Sequence, residues 1–421
     1  MSEGAYEALA QAIAERRETL IRLIQELVRR PSVGQEGEVQ AYIAAWWRER
    51  GIEPDIWEPD IDELRRHPAF VAVDYDYRGR PNLVVQIEGA GGGRSLTLNG
   101  HADVVPADPN GAWTHADPYS GALANGRIYG RGSMDMKAGL ALAMTVMEAI
   151  LRCGIRLRGS LQLQSVVDEE NGGNGTLAAI LRGYRSDATI FLEASSPQAI
   201  VVSGRGAQFF RITVPGVEGG IELKFSIPNA IEKAMKLFQA VDAYALWRAA
   251  QAKNPLYDWD PTKIPVAVCS IRAGNWPSTL ASKCIMEGSL ECLPGEDIEQ
   301  IKEQFRAYLL ETARQDPWLR DNPPAVEWFG LRLESAATPV DHPLVTSMVR
   351  CCEQVLGCTP CVVGGGGSDL RLPVLYADSP SIIFGPSGGA LHGTDEYVDV
   401  ESVMQTAQVL GRFILDWCGV V

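Results

Sequence analysis

Five short stretches carry the residue types that do hydrolytic chemistry. LNGHADVV holds His101 and Asp103, GRGSMDMKAG holds Asp135, SVVDEEN holds Glu169 and Glu170, IFLEAS holds Glu193, and GALHGTDEYV holds His392. Imidazole with carboxylate is a donor set for zinc, and equally for cobalt or manganese. Carboxylates packed together repel one another, and burying them unpaired is costly. One divalent cation, or two, removes that cost. Asp103 follows His101 by two positions, so in a strand both side chains leave the same face. Asp103 is then placed to accept the second N–H of the imidazole and fix the ring. Each stretch alone has a plain structural use: an Asp at a helix start caps it, and paired acids after a strand face solvent. Their combination in this order points to a metal centre. The other histidines, His67, His115 and His342, stand in loop or helix-start contexts and are not assigned to it.

The elements that must position these residues alternate. Residues 5–30 and 36–51 read as amphipathic helices. NLVVQIEG, SLTLNGHAD, SLQLQSVVDEE and ATIFLEA read as buried strands, and the stretch 136–154 as a helix ending near a glycine. Strand–helix alternation predicts an α/β fold, a mostly parallel sheet with helices on both faces. His101, Glu169, Glu170 and Glu193 then fall at or just past the carboxyl ends of strands, where open α/β sheets bind ligands. After about residue 204 the order becomes β-α-β-β-α, that of a small open-faced sandwich. The proline-rich stretch 315–324 is a candidate return linker. The reading is a catalytic domain of residues 1–204 and 325–421 with an inserted domain of residues 205–324.

Bulk properties agree with a two-domain globular protein. The chain has 421 residues, 46% of them hydrophobic and 22% charged, and a net charge of -15. That charge argues against nucleic acid or an anionic membrane as partner. No apolar stretch is long enough to cross a bilayer, and the N-terminal segment lacks the pattern of a signal peptide. A cytoplasmic location is the expectation, and nine scattered cysteines fit it. Cys358 and Cys361 form a lone C-x-x-C, read as structural.

With these stretches in hand, the chain resembles the dinuclear metal aminoacylase/carboxypeptidase family, peptidase family M20, which includes acetylornithine deacetylase and succinyl-diaminopimelate desuccinylase. The matching motifs are LNGHADVVPA, GRGSMDMKAG, VVDEENGGNGT, IFLEAS, GGGGSDLRL and ALHGTDEYV, with PNAIEKA, GNWPSTLASKC and CLPGE in the inserted part. The resemblance implies an inserted ferredoxin-like α+β lid that often also dimerises, so a homo-oligomer is expected. It implies two divalent ions per chain (zinc, or cobalt or manganese). Asp135 would bridge them, His101 and Glu193 would complete one site, and Glu170 and His392 the other. Glu169 would be the general base acting on a water between the metals. The Asp135–Met136 peptide bond would be cis. Family substrates are small molecules that usually carry a carboxylate. Gly365, Gly366 and Gly367 are candidates to present backbone N–H groups to it, and Arg205 and Arg371 are candidate ionic partners.

One departure bears on the reaction. The family's inserted domain carries a histidine that stabilises the oxyanion of the tetrahedral intermediate, and counting back from Asn229 places Gly220 at that position. Loss of one oxyanion donor typically costs about 2.7–4 kcal/mol of transition-state stabilisation. Three explanations stand: another donor of the inserted part, such as Lys224 or Arg272, does the job; the chemistry differs; or the protein is a poor catalyst. Cleavage of an amide in an N-acyl amino acid or dipeptide-like substrate is the first reading. Hydrolytic deamination of an aromatic amine, as in a 5-nitroanthranilate aminohydrolase, is the second. A non-catalytic metal-dependent binding protein is the third.

Overall fold

The computed structural model describes residues 3–115 and 117–421, and the chain divides into two compact units. The larger comprises Met1–Ser203, Ala337–Val363 and Ser368–Val421; the smaller comprises Gly204–Ala336 with Gly364–Gly367. Among the described residues no helix is long and apolar enough to cross a membrane.

In the larger unit the strands lie in the order Asp55–Trp57, Asn82–Ile87, Leu161–Val166, Leu96–His101, Thr189–Phe191, Ser381–Ile383 and Ala199–Gly204. The four from Leu161–Val166 to Ser381–Ile383 are parallel, with Leu98 opposite both Leu163 and Ile190. The strands flanking them run antiparallel, so the sheet as a whole is mixed. Burial explains where the parallel part sits. Every residue of Leu96–His101 and Leu161–Val166 is buried, as parallel strands covered on both faces require. Asn82–Ile87 surfaces at its end. Gly100 has a packing reason: a β-carbon there would come within 2.6 Å of the Met136 side chain. Its missing side chain lets the Asp135 segment lie against the strand that ends in His101.

Helix Ala138–Arg152 is buried along almost its whole length, and helices Glu3–Ala14, Arg17–Val28 and Val400–Cys418 pack on it. A second group, Ile61–Leu64, Asn174–Leu181 and Arg371–Tyr376, contributes to a core with Tyr77 and Val167. The first predicted helix is interrupted at Glu15–Arg16. Arg16 bonds back to the Ala12 carbonyl and reaches Glu148 at 3.2 Å. Glu148 also receives Arg50 and Arg152, each at 3.0 Å, so one buried carboxylate ties three segments together. Removing one partner of a buried ion pair costs about 3–5 kcal/mol, less where a partner is exposed, as Arg152 is. Glu148→Gln should therefore lower stability by about 3 kcal/mol. Urea unfolding followed by circular dichroism checks this, and an unmoved midpoint would show the cluster to be dispensable.

The smaller unit is a four-stranded antiparallel sheet in the order Val266–Ala273, Lys283–Cys292, Gly206–Pro215 and Ala325–Leu333. Helices Ala230–Gln251 and Ile298–Arg314 are capped by Asn229 and Asp297. Alternation along Gly206–Pro215 sends Phe210, Ile212 and Val214 into a core with Leu237, Val241, Phe305 and Leu309. Two segments differ from the sequence reading. Residues 325–333, placed there with the larger domain, supply the edge strand of this sheet. The stretch 315–324 is no bare linker: Asp316 caps the short helix Pro317–Asp321, and Trp318 donates its indole N–H to the Pro215 carbonyl.

Candidate metal centre

The parallel strands bring their carboxyl ends level, with His101 beside Val166 and Asn99 beside Phe191. The next few residues of each strand therefore emerge together: Asp103, then Asp168 to Glu170, then Glu193. Asp135 lies in the irregular turn Ser133–Lys137, where its peptide bond to Met136 is cis, as the resemblance implied. Asp135 divides its carboxylate between the two histidines. Its Oδ1 lies 3.0 Å from Nε2 of His101, and its Oδ2 lies 3.0 Å from Nε2 of His392. Glu193 stands 3.6 Å from the same nitrogen of His101, and Glu170 stands 3.3 Å from that of His392. Donor atoms of His101, Asp135 and Glu170 fall within 4.8 Å of one another. His392 has a left-handed backbone, φ 57°, a conformation uncommon for non-glycine residues but one histidine adopts more readily than most.

The electrostatics fit a cation. Burial pushes Glu169 well above the usual carboxylate range, and the charges of Glu193 and Asp369 add to the effect. Burial likewise raises Glu193 to about 7. Hydrogen bonds to Asp135 and Glu170 push His392 up to about 10. Burial disfavours a charged His101, yet the facing carboxylates hold it well above its ordinary value. Burial also disfavours a charged Asp135, but its two histidine partners keep it well below the usual range. Asp103, Asp135, Glu169, Glu170, Glu193 and Asp369 bring more carboxylates together than the nearby cationic side chains balance. Divalent cations supply that balance through the same donor atoms.

Asp103 meets both the His101 ring and the turn that carries the paired acids. The His101 Nδ1 faces the Asp103 backbone carbonyl at 2.9 Å, with the carboxylate farther off at 3.5 Å. The carboxylate also accepts the backbone N–H of Glu169 at 3.3 Å and of Glu170 at 3.1 Å. It thus fixes the turn that carries both acids. The candidate substrate anchors are already engaged. Arg205 pairs with Asp260 at 3.0 Å and Glu291 at 2.7 Å. Arg371 is buried and donates to the Gly172 carbonyl at 2.8 Å. Gly365, Gly366 and Gly367 belong to the smaller unit, where the Gly365 carbonyl accepts the Arg205 N–H. Lys224 and Arg272 are held by Glu232 and Glu287. Gly220 pairs with Thr279 in a two-residue strand. His342 caps the helix Pro343–Leu356, and His67 accepts the Ala69 N–H.

Several residues of the site were not singled out from the sequence. Asp369, from the GGGGSDLRL stretch, is 2% exposed, and burial lifts it to about 6. Asp168, the residue before the paired acids, is fully buried with φ 67°. It accepts Tyr75, Tyr77 at 2.6 Å and Arg80 at 3.3 Å, and Arg80 is paired in turn with Glu36. Glu396 accepts the backbone N–H of Asp135 at 3.1 Å. Their signal was present as acids inside motif stretches, but nothing in spacing tells a ligand from a residue that braces one.

The model of peptidase family M20/M25/M40 matches residues 97–416. An N-formyl-4-amino-5-aminomethyl-2-methylpyrimidine deformylase from Halalkalibacterium halodurans is 28% identical, over 98% of this chain and 97% of its own length. A succinyl-diaminopimelate desuccinylase from Methylobacterium radiotolerans is also 28% identical, over 94% and 95%. In fold, the chain is similar to a dipeptidase from Saccharomyces cerevisiae, with a TM-score of 0.75, 14% identity and 98% of each chain covered. The family match covers well over half of the sequence and includes all five candidate ligands, so the chain belongs to peptidase family M20/M25/M40 and is a metal-dependent hydrolase of carbon–nitrogen bonds.

Proposed function

We propose that this chain is a two-metal amidohydrolase that removes a small acyl group, formyl first among them, from a nitrogen of a small molecule. The observation that carries the reading is the division of Asp135 between His101 and His392, one carboxylate oxygen to each. In this reading His101 and Glu193 hold one ion, Glu170 and His392 the other, and Asp135 both. Zinc, cobalt or manganese suits the donors. Bound there, the ions supply Lewis acidity toward the acyl oxygen and make water a stronger acid. Glu169 accepts the proton of the attacking water on a carboxylate oxygen and returns it to the leaving nitrogen. Asp103, through the two backbone N–H groups it accepts, keeps Glu169 aimed.

The deformylase and desuccinylase relatives, matched nearly end to end, support acyl removal. N-acyl amino acids and dipeptide-like amides remain within the same reaction, but they need an anchor for their carboxylate. Arg205 and Arg371 already have partners, which favours an acyl amine without one. Deamination of an aromatic amine keeps one observation in its favour, glycine rather than histidine at position 220. The free thiols of all nine cysteines fit a cytoplasmic location. Self-association through the smaller unit is supported by its exposed Ile221, Phe225 and Trp276.

A substrate screen of the metal-reconstituted protein tests the reading. It holds N-formyl, N-acetyl and N-succinyl amines and amino acids, dipeptides and aminobenzoates. Formate released from an N-formyl aminomethyl heteroaromatic is the expected result. Ammonia from an aminobenzoate, with every amide inert, would transfer the assignment to deamination. Metal uptake with no turnover of any compound would leave a binding protein.

A further inference from the structure

Two segments far apart in sequence brace each other at this centre. Each holds one candidate ligand and, four residues away, one residue of a buried ion pair. Arg131 precedes Asp135, and Glu396 follows His392. The two side chains are buried and paired, Nη1 of Arg131 to Oε2 of Glu396. Each also crosses to the other segment's backbone. Glu396 accepts the N–H groups of Gly132 at 3.0 Å, Met134 at 3.0 Å and Asp135 at 3.1 Å. Arg131 donates Nη2 to the carbonyl of His392 at 3.0 Å. Glu396 is 0% exposed, and its four interactions use both carboxylate oxygens. A buried carboxylate with three backbone donors and a guanidinium leaves no acceptor capacity for a metal.

We propose that Arg131 and Glu396 are positioning residues that set metal affinity side by side: Arg131 for the ion on the His392 side, Glu396 for both ions through Asp135. The inference rests on the two-metal reading above. The asymmetry follows from geometry. Among the described residues, Arg131 reaches across the gap to Glu396 and to the His392 carbonyl, both on the His392 segment, and the His392 ring pairs with Asp135 and Glu170. Glu396 holds the segment of Asp135, whose carboxylate serves both histidines. Lysine at position 131 keeps the charge toward Glu396 but lacks the second prong that reaches the His392 carbonyl. Glutamine at position 396 turns an amide N–H₂ toward backbone donors.

The test is equilibrium titration of the apo full-length chain with Zn²⁺ and with Co²⁺ against a competing chelator, with metal analysis for stoichiometry. Groups that orient metal ligands typically change affinity about 10–100-fold. Arg131→Lys should weaken one of the two binding steps by about that factor and leave the other as in the parent. Glu396→Gln should weaken both, with Glu396→Asp intermediate. Thermal unfolding of the apo proteins separates this from general damage. Both steps weakened equally in Arg131→Lys, in parallel with a lower apo melting temperature, would reduce Arg131 to a fold-stabilising residue and overturn the inference. Unchanged titrations of Arg131→Lys would overturn it too. A parent chain that takes up fewer than two ions would instead sink the two-metal reading, and this inference with it.

Discussion

Glu169→Gln is expected to lose about 10²–10⁴-fold in kcat while its metal content and KM stay near those of the parent. The amide is nearly isosteric with the carboxylate but accepts no proton. Glu169 has no close contact with either histidine among the described ion pairs, whereas Glu170 lies 3.3 Å from His392. The substitution therefore removes none of the described ion pairs of the candidate ligands. Its backbone hydrogen bond to Asp103 is also retained, because the N–H and not the side chain makes it. Metal analysis beside single-turnover kinetics on the best substrate of the screen checks both halves. Full activity would remove Glu169 from the chemistry. Lost activity with lost metal would make it a ligand.

The second large effect belongs to Asp135. Asp135→Asn leaves one carboxamide oxygen where two carboxylate oxygens face His101 and His392 at 3.0 Å each. Both ions should bind more weakly and turnover should fall by at least about 10³-fold, since a metal ion contributes several kcal/mol of charge stabilisation. Glu193→Gln and Glu170→Gln remove an outer donor from one side only. Each should leave a chain that retains a single tight ion. A variant of Asp135 that still holds two ions tightly would mean the carboxylate is not shared.

The candidate ligands were conspicuous in the sequence for a physical reason. A buried strand announces itself as an apolar run, so the polar residue that ends it is conspicuous; His101 and Glu193 are of this kind. The bracing residues leave no such trace. Glu396 sits four positions from His392, but its partner Asp135 is 261 residues away and offers only a backbone N–H. Any residue type supplies that donor. Asp168 was hidden in the same way, since its surroundings come from Tyr75, Tyr77 and Arg80 in a segment without regular structure. The assignment of residues 325–333 failed because alternation reveals that a strand has one buried face, not which sheet it joins. That is decided by pairing with Gly206–Pro215, more than a hundred residues earlier. The two arginines read as candidate substrate anchors illustrate the converse. A basic residue in a motif suggests an anion to bind, and here the anions are the protein's own Asp260 and Glu291 for Arg205, with a backbone carbonyl for Arg371.

The place of Ser381–Ile383 in the larger sheet has a consequence for how the chain is made. It is an interior strand, between Thr189–Phe191 and Ala199–Gly204, yet it is synthesised after the whole of Gly204–Ala336. A growing chain on the ribosome therefore carries an unpaired, apolar strand edge for as long as the inserted unit takes to emerge. Such edges are where nascent chains aggregate or recruit chaperones. His392 leaves the ribosome just behind that strand, so the chain completes its candidate ligands only as it becomes able to close its sheet.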